Sequence, residues 1–458
     1  MNAVFTGVLV YLAAQLALGF WISRRVKTED DFLLAGRSLG YVLSTFTIFA
    51  TWFGAETCIG SAGRAYEGGL WNTTSDPFGY TAALLVFGVL FAVPLWRRKL
   101  TTLADLFRMR YGAGVERLAV LLMVPSSILW AAAQIRAFGQ VLVVSSDLQL
   151  DITITLAAGA VILYTAAGGM LADAWTDLVQ GIVLIAGLVA LLVAVVASGG
   201  ATALAEVSAD RLSLIAPGAT LIGTLEQWAP PILGSLVAQE LIARALSARS
   251  PEVARRSALI ASGAYFALGM LPPLLGLVAA RTMPGLRDSE TVLMQLATSQ
   301  LATPLYVLFA GALVSAILST VNSALLVSGS LLAHNLVAPL MPGLSDRQRL
   351  RADRIAVVGS GFLAYALALG SSGVYELVEQ AASFATSGIF VVTVFAMWTR
   401  AGHRASAYAA LNAGAAIYAG GAHLELMPHP YLTSLVAAVA VYVAASPLRP
   451  SDDGAVPG

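Results

Sequence analysis

The stretch 47-TIFATWFGAETCIGSAG-63 decides how the rest of the chain is read. It opens as an apolar helix of the kind that crosses lipid, then places Gly54, Glu56, Thr57, Cys58 and Gly60 where a span wants apolar side chains. Irregular backbone and a carboxylate are tolerated at that depth only when packed in protein or facing a wet cavity. A helix interrupted here would expose carbonyls and amides to ions and solute. The competing reading is a glycine-faced packing helix whose Glu56 bonds a neighbour.

Working outward, 58% of the 458 residues are hydrophobic and 11% are charged, less than half the charge usual in a soluble domain. No water-soluble fold covers that much apolar surface with so few charges, so the chain reads as all-α and polytopic in a membrane. Net charge is zero, which implies neither nucleic acid nor an acidic partner, and no obligate protein partner is evident. The single Cys58 excludes an internal disulfide. The first 23 residues are long enough to span, run into "RRVK" and lack a small-residue cleavage site, so they read as a retained helix. The sequence has no HExxH, GxSxG or Walker A motif, and its four histidines show no metal spacing. An enzyme and a direct ATP drive are therefore not expected.

Apolar runs of roughly twenty residues fall at 2–23, 42–66, 76–96, 117–146, 151–169, 174–199, 220–243, 256–280, 291–339, 355–371, 374–399, 405–422 and 431–447. That is about 13 transmembrane helices with short connections. Charge sets their direction. With the N-terminus outside, every Lys and Arg except Arg64, Arg136, Arg211, Arg281 and Arg287 falls on the cytoplasmic side, Arg244 and Arg449 included. The positive-inside rule thus puts the N-terminus outside and the C-terminus in the cytoplasm.

Three segments carry intramembrane polar groups, which are functional hypotheses by default. The first is the opening stretch. The second is "SAILSTVNSALLVSGS", where Ser315, Ser319, Asn322 and Ser323 share one helical face with Thr320 beside it. Neutral oxygens gathered on one face suit a hard monovalent cation, although an interhelical hydrogen-bond stripe would look the same. The third is "GGMLADAWTDLVQG". Its Asp173 reads as a helix-start acid near the interface, whereas Asp177 lies a turn deeper and needs a cation or a donor. Two further outliers stand apart. Pro230–Pro231 should kink or break their span, and Arg136 could hold an anionic group or pair with Glu56 or Glu240.

Together, in this order, these segments resemble the sodium:solute symporter family. That family carries a Gly-interrupted first core helix, a "GGL-x-AVxWTDxxQ" segment and an "ST(A/x)(D/N)S" face; here they read "TWFGAETCIG", "GGMLADAWTDLVQ" and "LSTVNSALLVSGS". The loop "ELIARALSARSPEVARRSALI" is also similar to the family's. The resemblance implies a LeuT-type 5+5 inverted repeat within one polytopic domain over 1–458. An extra N-terminal helix would lie in 1–30, a first repeat in 40–246 that includes the start of the sixth core helix, a second in 220–400, and two C-terminal helices in 404–447. It also implies a sodium-coupled importer working by alternating access in the lipid bilayer. The main sodium site would use carbonyls at Ala50, Phe53 and Ser315 with the hydroxyls of Ser319 and Thr320. A second sodium would fall on Asp177, Ser319, Asn322 and Ser323, with Asn322 standing where many relatives have Asp. The multi-pass topology and compact loops suit a bacterial inner membrane.

Within the family, "FATWFGAETCIGSAGRAYEGG", "LTTLADLFRMRYG" and "ILWAAAQIRAFGQ" look most similar to the choline-transporter-like branch and its bacterial relatives. A quaternary ammonium wants an aromatic cage. Trp52 matches one cage position, but two others fall on Ala238 and Val378, which offer no π face. The expected solute contacts are Trp52, Glu56, Thr57, Gln134, Arg136, Gln239 and Ser383, a mixture suited to a small zwitterion or organic acid. The alternatives are a proton-coupled transporter of the same fold, a quaternary-amine symporter, and a membrane sensor acting through a separate signalling partner.

Overall fold

The computed structural model describes residues 3–447 except 145, 147, 342, 372, 384 and 425; Arg449 lies outside the described residues. These form a bundle of helices, and a lone bridge between Leu39 and Ala248 supplies the extended pairing among the described residues. Seven helices are long and apolar enough to cross a membrane, eight if the bent pair Tyr41–Trp52 and Glu56–Glu67 counts as one span. That pair bends by 54° across Phe53, Gly54 and Ala55, where the opening stretch predicts an interruption.

Other apolar runs are cut where the chain cannot continue a helix. The expected 291–339 run divides at Leu301–Ala302, because Pro304 sits in the first turn of a new helix, Thr303–Ser330, where its missing N–H costs nothing. The long helix Leu150–Ala197 turns sharply at Gly169, whose φ of 63° is open to glycine and strained for other residues. A Cβ there would also come 2.6 Å from the Phe32 ring. Pro230 and Pro231 do not break their span. A widened turn at Pro230–Gly234 absorbs them, and the helix instead loses its ladder at Val237–Ala238 before resuming as Gln239–Leu246.

The helix Thr303–Ser330 is the centre of the bundle. Every residue from Phe309 to Ser330 is buried, so its serines and Asn322 must find partners in protein rather than in water. It packs along Leu150–Ala197 on one side and Ala113–Val144 on another. The Lys/Arg-rich connections gather at one end of the bundle. Arg37 donates to the carbonyls of Lys99, Leu100 and Leu246, Arg110 to that of Arg400, and Arg349 to Glu29. The opposite end is tied by Arg211 to the carbonyls of Ala65 and Tyr66, by Tyr66 to Met283, and by Arg281 to Glu206. Arg244 departs from this sorting. The charge count places it in a loop, yet it is 0% exposed, inside the bundle.

Candidate solute and sodium site

The first helix break is built by close approach. Gly54 donates its N–H to Trp52 O at 2.9 Å instead of continuing the ladder to Ala50, and Ala55 N–H is taken by Gln134 Oε1 at 2.8 Å. The carbonyls of Ala50 and Phe53 are therefore left without a backbone donor among the described residues. A Cβ at Gly54 would lie 2.6 Å from Thr320 Oγ1 and 2.9 Å from Gln134 Oε1, so only glycine lets the break touch the polar helix. Past it, Ser61 N–H reaches back five residues to Glu56 O, a wide turn of the kind that marks functional sites.

The oxygen-rich face meets this break. Thr320 Oγ1 donates to Ala316 O at 3.1 Å and stands 3.4 Å from Ala50 O, a separation too long for a strong hydrogen bond. Ser319 Oγ donates to Asp177 Oδ1 at 2.5 Å, while Thr47 Oγ1 donates to Asp177 Oδ2 at 2.5 Å. With its one proton committed to Asp177, Ser319 presents only lone pairs elsewhere, which is what a cation requires. Ser315 lies one turn earlier on the same helix; its hydroxyl donates to Gly311 O at 2.7 Å and stands 2.5 Å from Tyr11 OH on the first helix, Ala3–Ser23. Of the five residues assigned to the main sodium site, Thr320 meets Ala50 directly, Ser319 adjoins Thr320 on the same helix, and Phe53 lies in the break, while the hydroxyl of Ser315 turns to Tyr11 and Gly311.

The second set is arranged differently. Asp177 and Ser319 touch, but Ser323 Oγ is bonded by Arg244, and Asn322 Oδ1 accepts from Thr165 Oγ1 at 2.6 Å. Asp173 is buried and ion-paired to Arg244, which corrects the reading of it as an interfacial helix-start acid. Its position four residues after Gly169 does put it in the first turn of a new helical stretch, only inside the protein.

Two cavities flank the first break. The smaller, about 60 Å³, lies between the two interrupted helices and is lined by Trp52, Trp130, Val237, Ala238, Gln239 and Glu240, among others. The larger, about 640 Å³, opens toward the opposite end past Glu56, Tyr80, Val378 and Ser383. Trp52 and Tyr80 stack with ring centroids 5.1 Å apart and stand between them.

The expected solute contacts therefore divide. Trp52 and Gln239 face the small cavity; Glu56 and Ser383 face the large one. Glu56 accepts from Tyr80 OH at 2.6 Å. Thr57 lines neither cavity and bonds Asp76 Oδ2 at 2.5 Å and Tyr265 OH at 2.8 Å. Gln134 holds the break through Ala55. Arg136 also lines neither cavity and donates to Ala368 O at 3.1 Å. Sequence reasoning missed Trp130, Thr47, Tyr80 and Asp76, and it considered Glu240 only as a partner for Arg136. Glu240 instead accepts from Ser127 Oγ at 2.7 Å.

Comparison with known proteins bears on the family and the fold. The profile of the sodium:solute symporter family matches residues 32–414. The chain is 26% identical over 394 residues to a high-affinity choline transporter of Caenorhabditis elegans, covering 79% of this chain and 68% of that protein. It is 24% identical over 462 residues to the sodium/pantothenate symporter of Escherichia coli, covering 96% and 95%. The fold superimposes on a Na+-coupled sialic acid symporter, solved substrate-bound and outward-open, with a TM-score of 0.86 over 99% of both chains at 16% identity. The chain belongs to the sodium:solute symporter family, and its activity is sodium-coupled solute symport.

Proposed function

We propose that the solute is a small amine-bearing molecule, an organic cation or zwitterion, held in the cavity between the two helix breaks. One observation carries this. Two indoles, Trp52 and Trp130, and the Glu240 carboxylate line that cavity, and no Lys, Arg or His does so among the described residues. An indole face and a carboxylate both attract an ammonium group. Trp52 Nε1 and Gln239 Nε2 are buried donors without partners, available to a hydroxyl or carboxylate elsewhere on the solute. The preference for an organic acid rested on Arg136, which lies off the cavity. A choline-like cation gains support from Trp130, which supplies a second aromatic face although Ala238 supplies none.

Sodium binds at Ala50, Phe53, Ser315, Ser319 and Thr320 in this reading. It ties the interrupted helix to the polar one, and its preference for the joined state shifts the population that accepts solute. Thirteen spans in two inverted repeats, with the N-terminus outside, fit the sorted ends of the bundle. The Arg-rich end is then cytoplasmic, the large cavity faces outward, and the membrane is a plasma membrane.

The test is thermal stabilisation in sodium by matched solutes: a quaternary amine, an amino-acid zwitterion and a dicarboxylate. The first two should stabilise the protein, and Glu240→Gln should weaken them about tenfold or more. Stabilisation by the dicarboxylate alone would overturn the assignment.

A further inference from the structure

The four residues assigned to a second sodium are all buried, and protein groups already use them. Asp177 spends both carboxylate oxygens on Thr47 and Ser319. Asn322 gives its carbonyl oxygen to Thr165. Ser323 Oγ donates to Ser319 O at 2.8 Å and receives Nη2 of Arg244. The same nitrogen pairs with Asp173 Oδ2, while Nη1 donates to Glu240 O at 3.1 Å. Arg244 is fully buried; its ion pair is with Asp173, and the Glu240 carboxylate also feels its charge.

We infer that Arg244 is a tethered cation standing in the place of a second sodium, so that the chain binds one sodium ion. A guanidinium carries the same unit charge as the ion, never gives up its proton, and can offer several donors to neighbouring oxygens at once. Charge balance argues the same way. At the ion face Asp173 and Asp177 bring two negative charges and Arg244 one positive, and Asn322 adds none; Glu240, which also feels Arg244, faces the solute chamber, where the amine of the proposed solute balances it. A single sodium on the adjoining Ser319–Thr320 face completes the neutralisation that a dry interior demands. A second ion would leave a buried surplus of positive charge and would have to displace Arg244 from Ser323. Asp177 then acts on the one ion through Ser319, whose hydroxyl it orients.

This inference rests on the main sodium site, and the experiment separates the two. Purified full-length protein is titrated with 22Na+ alone, and ions bound per chain are counted for the native sequence, Thr320→Ala and Arg244→Ala. One ion is expected in the native protein, none at native affinity in Thr320→Ala, and a gain toward two in Arg244→Ala. A native count of two that falls to one in Thr320→Ala overturns the inference and leaves the main site standing. A count of one that survives Thr320→Ala puts the ion on the aspartates and overturns both. The native and Thr320→Ala counts decide the matter even if Arg244→Ala does not fold.

Discussion

Trp52 and Tyr80 stack at 5.1 Å between ring centroids, yet each lines a different cavity. The pair is the wall between the large opening and the small chamber. Tyr80 is held in place by its hydroxyl on Glu56, which gives the carboxylate of the opening stretch a structural task. Tyr80→Ala should open a passage. A cysteine at Ser127, in a Cys58→Ser background, should then react with an impermeant thiol reagent about tenfold faster from the large-cavity side. An unchanged rate would mean another layer closes the path.

The face of Ser319 and Thr320 should govern sodium affinity and leave the response to potassium untouched. Each alanine substitution is expected to weaken sodium about tenfold or more, equivalent to about 1.4 kcal/mol. Asp177→Asn should act in the same direction, because the charge beside the ion is lost and only one oxygen remains to accept from Thr47 and Ser319. Sodium titrations of intrinsic tryptophan fluorescence would measure all three.

Gly54→Ala should abolish sodium binding while leaving the protein assembled, since its Cβ would enter the space of Thr320 Oγ1. Gly311→Ala, where a Cβ meets nothing within 4 Å, is the control and should bind normally. Equal behaviour of the two variants in a 22Na+ assay would show that close approach at the break is not required.

Much of this was legible in the sequence, and the reasons are physical. The glycines and Glu56 of the opening stretch stood out because a span tolerates them only at a break, and the Ser315–Ser323 face because helical spacing aligns it. Arg244 was not legible. It lies in "ELIARALSARS", where several arginines look like a cytoplasmic loop, and only folding shows that nearly all of Gln239–Leu246 is buried. Trp130 and Tyr80 sit in apolar helices where an aromatic is unremarked, and Asp76 lies in "TTSDPFG", which reads as a turn. Arg136 suggests an anion from sequence, as an isolated intramembrane arginine does; in the fold it lines neither cavity and donates to Ala368 O.

At the Arg-rich end, Glu29 and Asp105 flank His334, with Nδ1 2.7 Å from Glu29 Oε1 and Nε2 3.4 Å from Asp105 Oδ1. Burial pushes both carboxyls up, but the His334 ring, joined by Arg349 at Glu29 and by backbone N–H groups at Asp105, outweighs it and holds both below ordinary values. Their stabilising contribution is therefore present above the unfolded carboxylate range of about 3.9–4.3 and is lost as pH falls through the lower folded values. His334→Gln should lower the unfolding midpoint at pH 7 and flatten its decline below about pH 4. Parallel curves for the two proteins would remove His334 from the cause.

The most direct measurement is the unfolding midpoint of the purified protein in sodium and in potassium, for the native sequence and for Ser319→Ala/Thr320→Ala. Sodium at a hundredfold excess over its Kd should stabilise the native protein by about 2.7 kcal/mol. The expected result is a midpoint raised by sodium but not by potassium, with no rise in the double variant. Equal shifts in both salts, or a sodium shift that survives the two substitutions, would contradict an ion bound between the broken helix and the Ser319–Thr320 face.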